Sequence, residues 1–64
     1  MIRINGEERN TAGKTVAELL ETDGYNPLKV AVELNENILP KTEYGSTELK
    51  DGDTVEIVRF VGGG

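Results

Sequence analysis

The 64-residue chain contains no cysteine, no histidine and no tryptophan, and the first two absences each remove a class of function. Without thiolate or imidazole groups it has no soft metal site, no cysteine nucleophile and no histidine base. Disulfides, which stabilise many small secreted domains, are excluded as well, so a reducing cytoplasm is the expected location. We therefore expect a protein that is not an enzyme by itself and that binds no metal or cofactor of its own.

Positive charge and long apolar runs are also scarce. Twelve acidic and seven basic side chains give a net charge of -5, whereas nucleic acid binding requires clustered cations. The first five residues lack the apolar core of a signal peptide, and no apolar run is long enough to span a membrane. We expect a monomer that binds neither nucleic acid nor membrane and docks on a basic or apolar partner surface.

Five segments are predicted to be strands, because apolar and polar residues alternate along them or turn residues bound them. Asn5-Gly6 separates the first two segments and is the strongest short signal for a β-hairpin. Pro40 ends the fourth segment, and Asp51-Gly52-Asp53 turns the chain into the fifth. The predicted strands are residues 1–5, 7–11, 30–34, 38–39 and 54–60.

One helix is predicted between the second and third strands. Thr15 and Glu18 have the spacing of a capping box, in which each side chain bonds the backbone N–H of the other. The apolar residues that follow share one helical stripe. Gly24 is a typical C-terminal stop, and Pro27 prevents continuation shortly afterwards. The helix is therefore expected to be short, with two to three turns.

This order of elements predicts an α+β protein with one core, in which a mixed sheet of four to five strands packs on one short helix. A hairpin, a crossover helix and a last strand that returns beside the first form the β-grasp arrangement. We expect residues 1–61 to form the domain and residues 62–64 a flexible tail, while Tyr44 closes over an edge. The predicted core consists of Ile2, Ile4, Val16, Leu19, Leu20, Val30, Val32, Leu49, Val55 and Ile57.

Two apolar residues near the end of the last predicted strand interrupt its alternation. Val55 and Ile57 are expected to face the core, which places Val58 and Phe60 on the outward face. Isolated exposed apolar residues are common, and a bulge could turn both side chains inward. Because the pair directly precedes the glycine-rich end, we interpret Val58, Phe60 and Val61 as a surface that docks a partner protein.

The printed sequence closes on Gly62, Gly63 and Gly64. Glycine is costly to order, so these residues are expected to be mobile, either as an inert frayed end or as a functional tail. A tail without Cβ atoms could thread a narrow channel, and residues 61–64 could reach roughly 13 Å beyond the strand. The unhindered Gly64 carboxylate, once activated with ATP as an acyl-adenylate, could accept sulfur and become a thiocarboxylate.

Short motifs follow one another along the whole chain: Asn5-Gly6-Glu7, Thr15-Val16 with Leu19-Leu20, Val30-Ala31-Val32 with Asn35, Ile38-Leu39-Pro40, residues 49–58 and Gly63-Gly64. Each is weak alone, but in this order and at this length they resemble the ThiS sulfur carriers, a ubiquitin-like β-grasp family that carries a terminal diglycine. Tyr44 stands where many members have tryptophan, and Lys41 stands where arginine is frequent.

The resemblance implies a role in making the thiazole of thiamine. A ThiF-type enzyme would adenylate Gly64 with ATP, and a sulfur-transfer step would then produce the thiocarboxylate. Gly63 and Gly62 would give the tail the clearance needed to enter the partner, while Val58 and Phe60 would face the activating enzyme. A thiazole synthase of the ThiG type would finally accept the sulfur.

Three other functions are compatible with the same residues. A molybdopterin-type sulfur carrier shares the fold and the diglycine, although its chain is usually longer. A ubiquitin-like protein modifier would use the same activation to join Gly64 to a target lysine. A plain binding module would have an inert tail, so deleting Gly63 and Gly64 would leave its function intact.

Overall fold

The computed structural model describes residues 1–60, and the predictions made for Val61 and for the glycines 62–64 lie outside the described residues. In the described part, two short 3-10 turns accompany one α-helix and five strands. The 3-10 turns are Pro27–Lys29 and Lys41–Glu43. The helix and strands are β1 (Ile2–Ile4), β2 (Glu7–Arg9), α1 (Val16–Thr22), β3 (Val30–Leu34), β4 (Asn37–Leu39) and β5 (Thr54–Arg59).

The five strands form one mixed sheet in the order β2-β1-β5-β3-β4. The first and last strands, β1 and β5, run parallel, and the other neighbouring strands pair antiparallel. The parallel pair requires a crossover, which the segment containing α1 supplies. This arrangement confirms the predicted α+β class and the β-grasp topology, with β5 at the centre of the sheet.

The hairpin between β1 and β2 turns at Asn5-Gly6 as predicted. Both residues have positive φ, 50° for Asn5 and 84° for Gly6, as the tight turns that match strand twist require. The Asn5 Oδ1 atom also accepts a 2.7 Å hydrogen bond from the Ile57 backbone N–H. The hairpin is therefore tied to β5. Strand β2 is shorter than predicted, because Thr11 O accepts from Lys14 N in a turn.

Helix α1 begins at the predicted capping box. Glu18 N donates to Thr15 Oγ1 over 3.1 Å, and Thr15 N donates to Glu18 Oε1 over 2.9 Å. The hydrogen bond from the Thr15 backbone holds the pKa of the Glu18 carboxyl below its ordinary value. The helix ends just before Gly24, whose φ of 79° lies in the left-handed region that favours glycine.

The hydrophobic core lies between α1 and one face of the sheet. All ten residues predicted to form the core are buried. Tyr44, which was expected to close over an edge, is itself a member of the buried cluster. Burial raises the pKa of its phenol. The opposite face of the sheet has no helix over it in the described part of the chain, and that face presents the outward side chains of β5.

Candidate functional site

From Thr54 to Val58, strand β5 separates core side chains from surface side chains by alternation. Val55 and Ile57 are buried, whereas Val58 is 55% exposed. The pairing of β5 with β3 continues without interruption from Val55 to Arg59, so no bulge changes the register. The prediction that Val58 points away from the core is confirmed.

Phe60 lies one residue beyond β5 and is held at the surface by two contacts. Its backbone N–H donates to Lys29 O over 3.1 Å, and its ring centroid lies 5.3 Å from the Lys41 ammonium nitrogen. The side chain nevertheless remains 56% exposed. The predicted exposure of Phe60 is confirmed. The ring also has a defined support, which a frayed end would not provide.

Lys41 provides that support, a role that the sequence analysis did not assign to it. Its Nζ donates to Val30 O over 2.5 Å and to Pro27 O over 3.3 Å. The same nitrogen lies 5.8 Å from the centroid of the buried Tyr44 ring. The ammonium group therefore joins the 3-10 turn, the core and Phe60. Its partners come from distant parts of the chain, so only the folded structure reveals them.

The outer face of the sheet extends the apolar surface beyond Val58. Ala31 on β3 is paired directly with Val58, and Ile38 on β4 is 75% exposed on the same side. We call Ala31, Ile38 and Val58 the apolar strip. Sequence reasoning missed the first two members. The alternation of β3 could have indicated Ala31, but Ile38 required the register of β3 against β4.

Carboxylates border the apolar strip. Glu33 pairs with Glu56 across β3 and β5, and it also pairs with Ile38 across β3 and β4. Like charges directly opposite each other on neighbouring strands are mutually destabilising, so a cationic group brought by a partner would relieve this repulsion. The outer face thus offers an apolar centre with an acidic margin.

Residues 1–60 contain no group of three or more metal-ligating side chains close enough to hold an ion.

No helix between residues 1 and 60 combines the length and the apolar composition needed to cross a membrane.

Within residues 1–60, a single α-helix packed on a mixed five-stranded sheet, with the first and last strands parallel, defines a protein of the ubiquitin-like β-grasp class. Comparison with protein families identifies the family within this class. The sequence model of the ThiS family matches residues 2–64. The chain belongs to the ThiS family.

Three relatives illustrate the range of this similarity. The sulfur carrier protein ThiS of Thermus thermophilus is 44% identical over 64 residues, covering 100% of both chains. A crystal structure of the thiamine biosynthesis protein ThiS from Geobacter metallireducens superposes with a TM-score of 0.79 at 34% identity, covering 98% of this chain and 97% of that one. A thiazole synthase of Paramagnetospirillum magneticum is 53% identical over 62 residues, covering 95% of this chain and 19% of the synthase. The chain thus spans about a fifth of that larger protein.

Proposed function

We propose that this protein is a sulfur carrier whose reactive group is the carboxylate of Gly64, and that its sulfur is used to build the thiazole of thiamine. The observation that carries the proposal is the full-length similarity to a protein named as a sulfur carrier, 44% identical over 100% of both chains. The thiazole synthases among the relatives support the thiazole as the destination. The chain is then a co-substrate of partner enzymes and not itself an enzyme.

The chemistry needs two steps, both at Gly64. A carboxylate is a poor electrophile, so a ThiF-type enzyme first activates it: a carboxylate oxygen attacks the α-phosphorus of ATP, and pyrophosphate leaves. A hydrosulfide ion then attacks the carbonyl carbon of the acyl-adenylate. AMP leaves, and the hydrosulfide proton passes to solvent, which gives the thiocarboxylate. This chain contributes the carboxylate and the surface that presents it, while ATP is bound by the partner.

The surface around the end of β5 supports a docking role. Val58 and Phe60 each leave more than half of their side chain exposed, and both lie within six residues of Gly64. Together with Val61 they would contact the ThiF-type enzyme, with the apolar strip extending the contact across the sheet. Gly63 and Gly62 would then enter the active site of the partner. A partner surface with an apolar centre and a basic margin fits this face.

Adenylation is tested most simply by exchange of labelled pyrophosphate into ATP, catalysed by the ThiF-type enzyme of the same organism. We expect exchange that depends on this chain and that disappears when Gly62, Gly63 and Gly64 are deleted together, because deleting Gly64 alone would leave a terminal diglycine. Exchange of equal rate with the deleted chain would contradict the proposal.

The destination of the sulfur needs a second measurement. The thiocarboxylate form is offered separately to a thiazole synthase and to a molybdopterin synthase, and sulfur in each product is measured. Transfer to the thiazole product supports the proposal. Transfer only to the molybdopterin product would place the chain in the other carrier pathway, and lysine-linked conjugates in cell extract would indicate a protein modifier.

A further inference from the structure

A groove of about 330 Å³ lies beside the end of β5, next to the point where the described residues stop. Two aromatic residues, Tyr25 and Phe60, contribute to its walls, and so do two cations, Lys29 and Arg59. No carboxylate lines the groove among residues 1–60. This composition contrasts with the chain as a whole, in which acidic side chains outnumber basic ones by twelve to seven.

The two cations of the groove are not neutralised by the described part of the protein. The ion pairs within residues 1–60 join the N-terminus to Asp51, Arg3 to Glu8, and Arg9 to Asp23. Neither Lys29 nor Arg59 takes part in any of them. Both residues are exposed, so within residues 1–60 both charges face solvent.

The structure also orients the Arg59 side chain and anchors the backbone of Lys29. The Arg59 guanidinium carbon lies 4.8 Å from the centroid of the Tyr25 ring. An arginine stacked on an aromatic face keeps its N–H groups directed outward, where they match the two oxygens of a carboxylate. Lys29 ends the 3-10 turn that Asn26 caps, since Asn26 Oδ1 accepts from Leu28 N over 3.0 Å. Its carbonyl in turn accepts from the Phe60 backbone. The two charges therefore lie on anchored backbone.

We propose that this groove docks an acidic segment of the adenylating enzyme, in which Asp or Glu carboxylates pair with Lys29 and Arg59. The inference rests on the proposed carrier function. Phe60 lines the groove and directly precedes the residues that would enter the partner, so a partner that contacts Phe60 also reaches the edge of the groove. The outer face would contribute an apolar contact with an acidic margin, and the groove a contact of opposite charge. These two contacts of opposite charge would together fix the orientation in which the partner docks.

Nucleic acid and nucleotide fit the groove less well than a protein carboxylate. The net charge of -5 repels polyphosphates. The volume of about 330 Å³ lies at the lower end of the range for small-molecule pockets, about 300–1,000 Å³. One or two acidic side chains would fill it. The ATP that activates Gly64 would react four residues beyond Phe60, and not in the groove.

The test compares two doubly substituted chains of equal net charge in the pyrophosphate-exchange assay. Lys29→Gln/Arg59→Gln removes the two groove cations. Lys14→Gln/Lys50→Gln removes two exposed lysines that do not line the groove, so each chain changes from -5 by two charges to -7. We expect the groove variant to raise the KM for the carrier roughly ten-fold with kcat unchanged, and the control to change it less than about two-fold. Added salt should raise the KM of the wild type more steeply than that of the groove variant.

A third variant, Lys29→Arg/Arg59→Lys, keeps both charges but removes the stacked guanidinium of Arg59, so its KM should lie between those of the wild type and the groove variant. Urea unfolding of all three chains establishes that each is folded under assay conditions. Equal KM values for the groove variant and its control would overturn the inference, and so would a rise in the KM for ATP alone. If the wild type itself supports no exchange, the carrier proposal fails first, and the inference fails with it.

Discussion

Replacing Phe60 by alanine tests whether the exposed end of β5 binds a partner. The side chain is 56% exposed in the free chain. A phenylalanine side chain presents roughly 200 Å² in total, so about 110 Å² is available for burial in a complex. At about 25 cal/mol per Å², full burial would stabilise the complex by about 2.8 kcal/mol.

The expected loss of binding free energy is somewhat smaller than this upper value. Alanine keeps the Cβ atom, and the area buried in an interface contributes less to binding than the area coefficient alone gives. We expect the complex with the adenylating enzyme to weaken by about 2 kcal/mol, or about 30-fold in Kd. The free energy of unfolding of the free chain should fall by much less. The ring gives up its contact with the Lys41 ammonium at 5.3 Å, and such a contact is worth about 0.5–1 kcal/mol at an exposed site.

Binding is measured by isothermal titration calorimetry and stability by urea unfolding, with Thr54→Ala as the matched control. Thr54 is the exposed first residue of β5, at the end of the strand away from Phe60. Its truncation should leave the Kd within about two-fold of the wild type. An unchanged Kd for Phe60→Ala would refute the docking role. A loss of more than about 3 kcal/mol in the free energy of unfolding would mean that Phe60 belongs to the core.

Two further predictions concern contacts that hold the domain together. Asp23→Asn should lower the free energy of unfolding by about 1 kcal/mol at pH 7, because both carboxylate oxygens accept from Arg9 over 2.7 and 2.8 Å. Arg9 also holds the Asp23 pKa below the usual 3.8. The difference in the free energy of unfolding between the variant and the wild type should therefore persist above that pH and disappear as the pH falls through the lowered pKa. A difference that grows in acid would contradict this. Asn5→Ala should cost about 2 kcal/mol, because alanine disfavours positive φ and leaves the Ile57 N–H without its acceptor. Asn5→Gly should cost about half as much, and equal losses in urea unfolding would show that the hydrogen bond alone matters.

The elements that the sequence predicted well depend on local patterns. The alternation of Ile2, Ile4, Val55 and Ile57 reports which face of each strand is buried, and that property needs no knowledge of the partner strand. The capping box at Thr15 likewise involves residues only three positions apart. The exposure of Val58 followed from the same alternation, and it could be predicted before any contact was known.

The contacts that the sequence did not reveal join residues far apart in the chain. Lys41 reaches Val30 and Phe60, and Arg59 stacks on Tyr25. A surface cation gives no local sign of such partners, because most lysines and arginines extend into solvent. Ile38 belongs to the outer face only through the register of β4 on β3. Sequence reasoning therefore indicated where the candidate site lies, while its electrostatic character emerged from the fold.

The central claim, that the Gly64 carboxylate carries sulfur, is tested most directly by intact mass spectrometry. The chain is measured before and after incubation with the ThiF-type enzyme, ATP and sulfide, and fragmentation locates any added mass. The account predicts a starting mass equal to that of a chain whose last residue is Gly64. After incubation the mass should rise by the difference between one sulfur and one oxygen atom. That gain should lie on the last residue and should be absent when residues 62–64 are deleted, which removes every terminal glycine. No gain, from an enzyme preparation that converts a known carrier, or sulfur found on any other residue, would contradict the account.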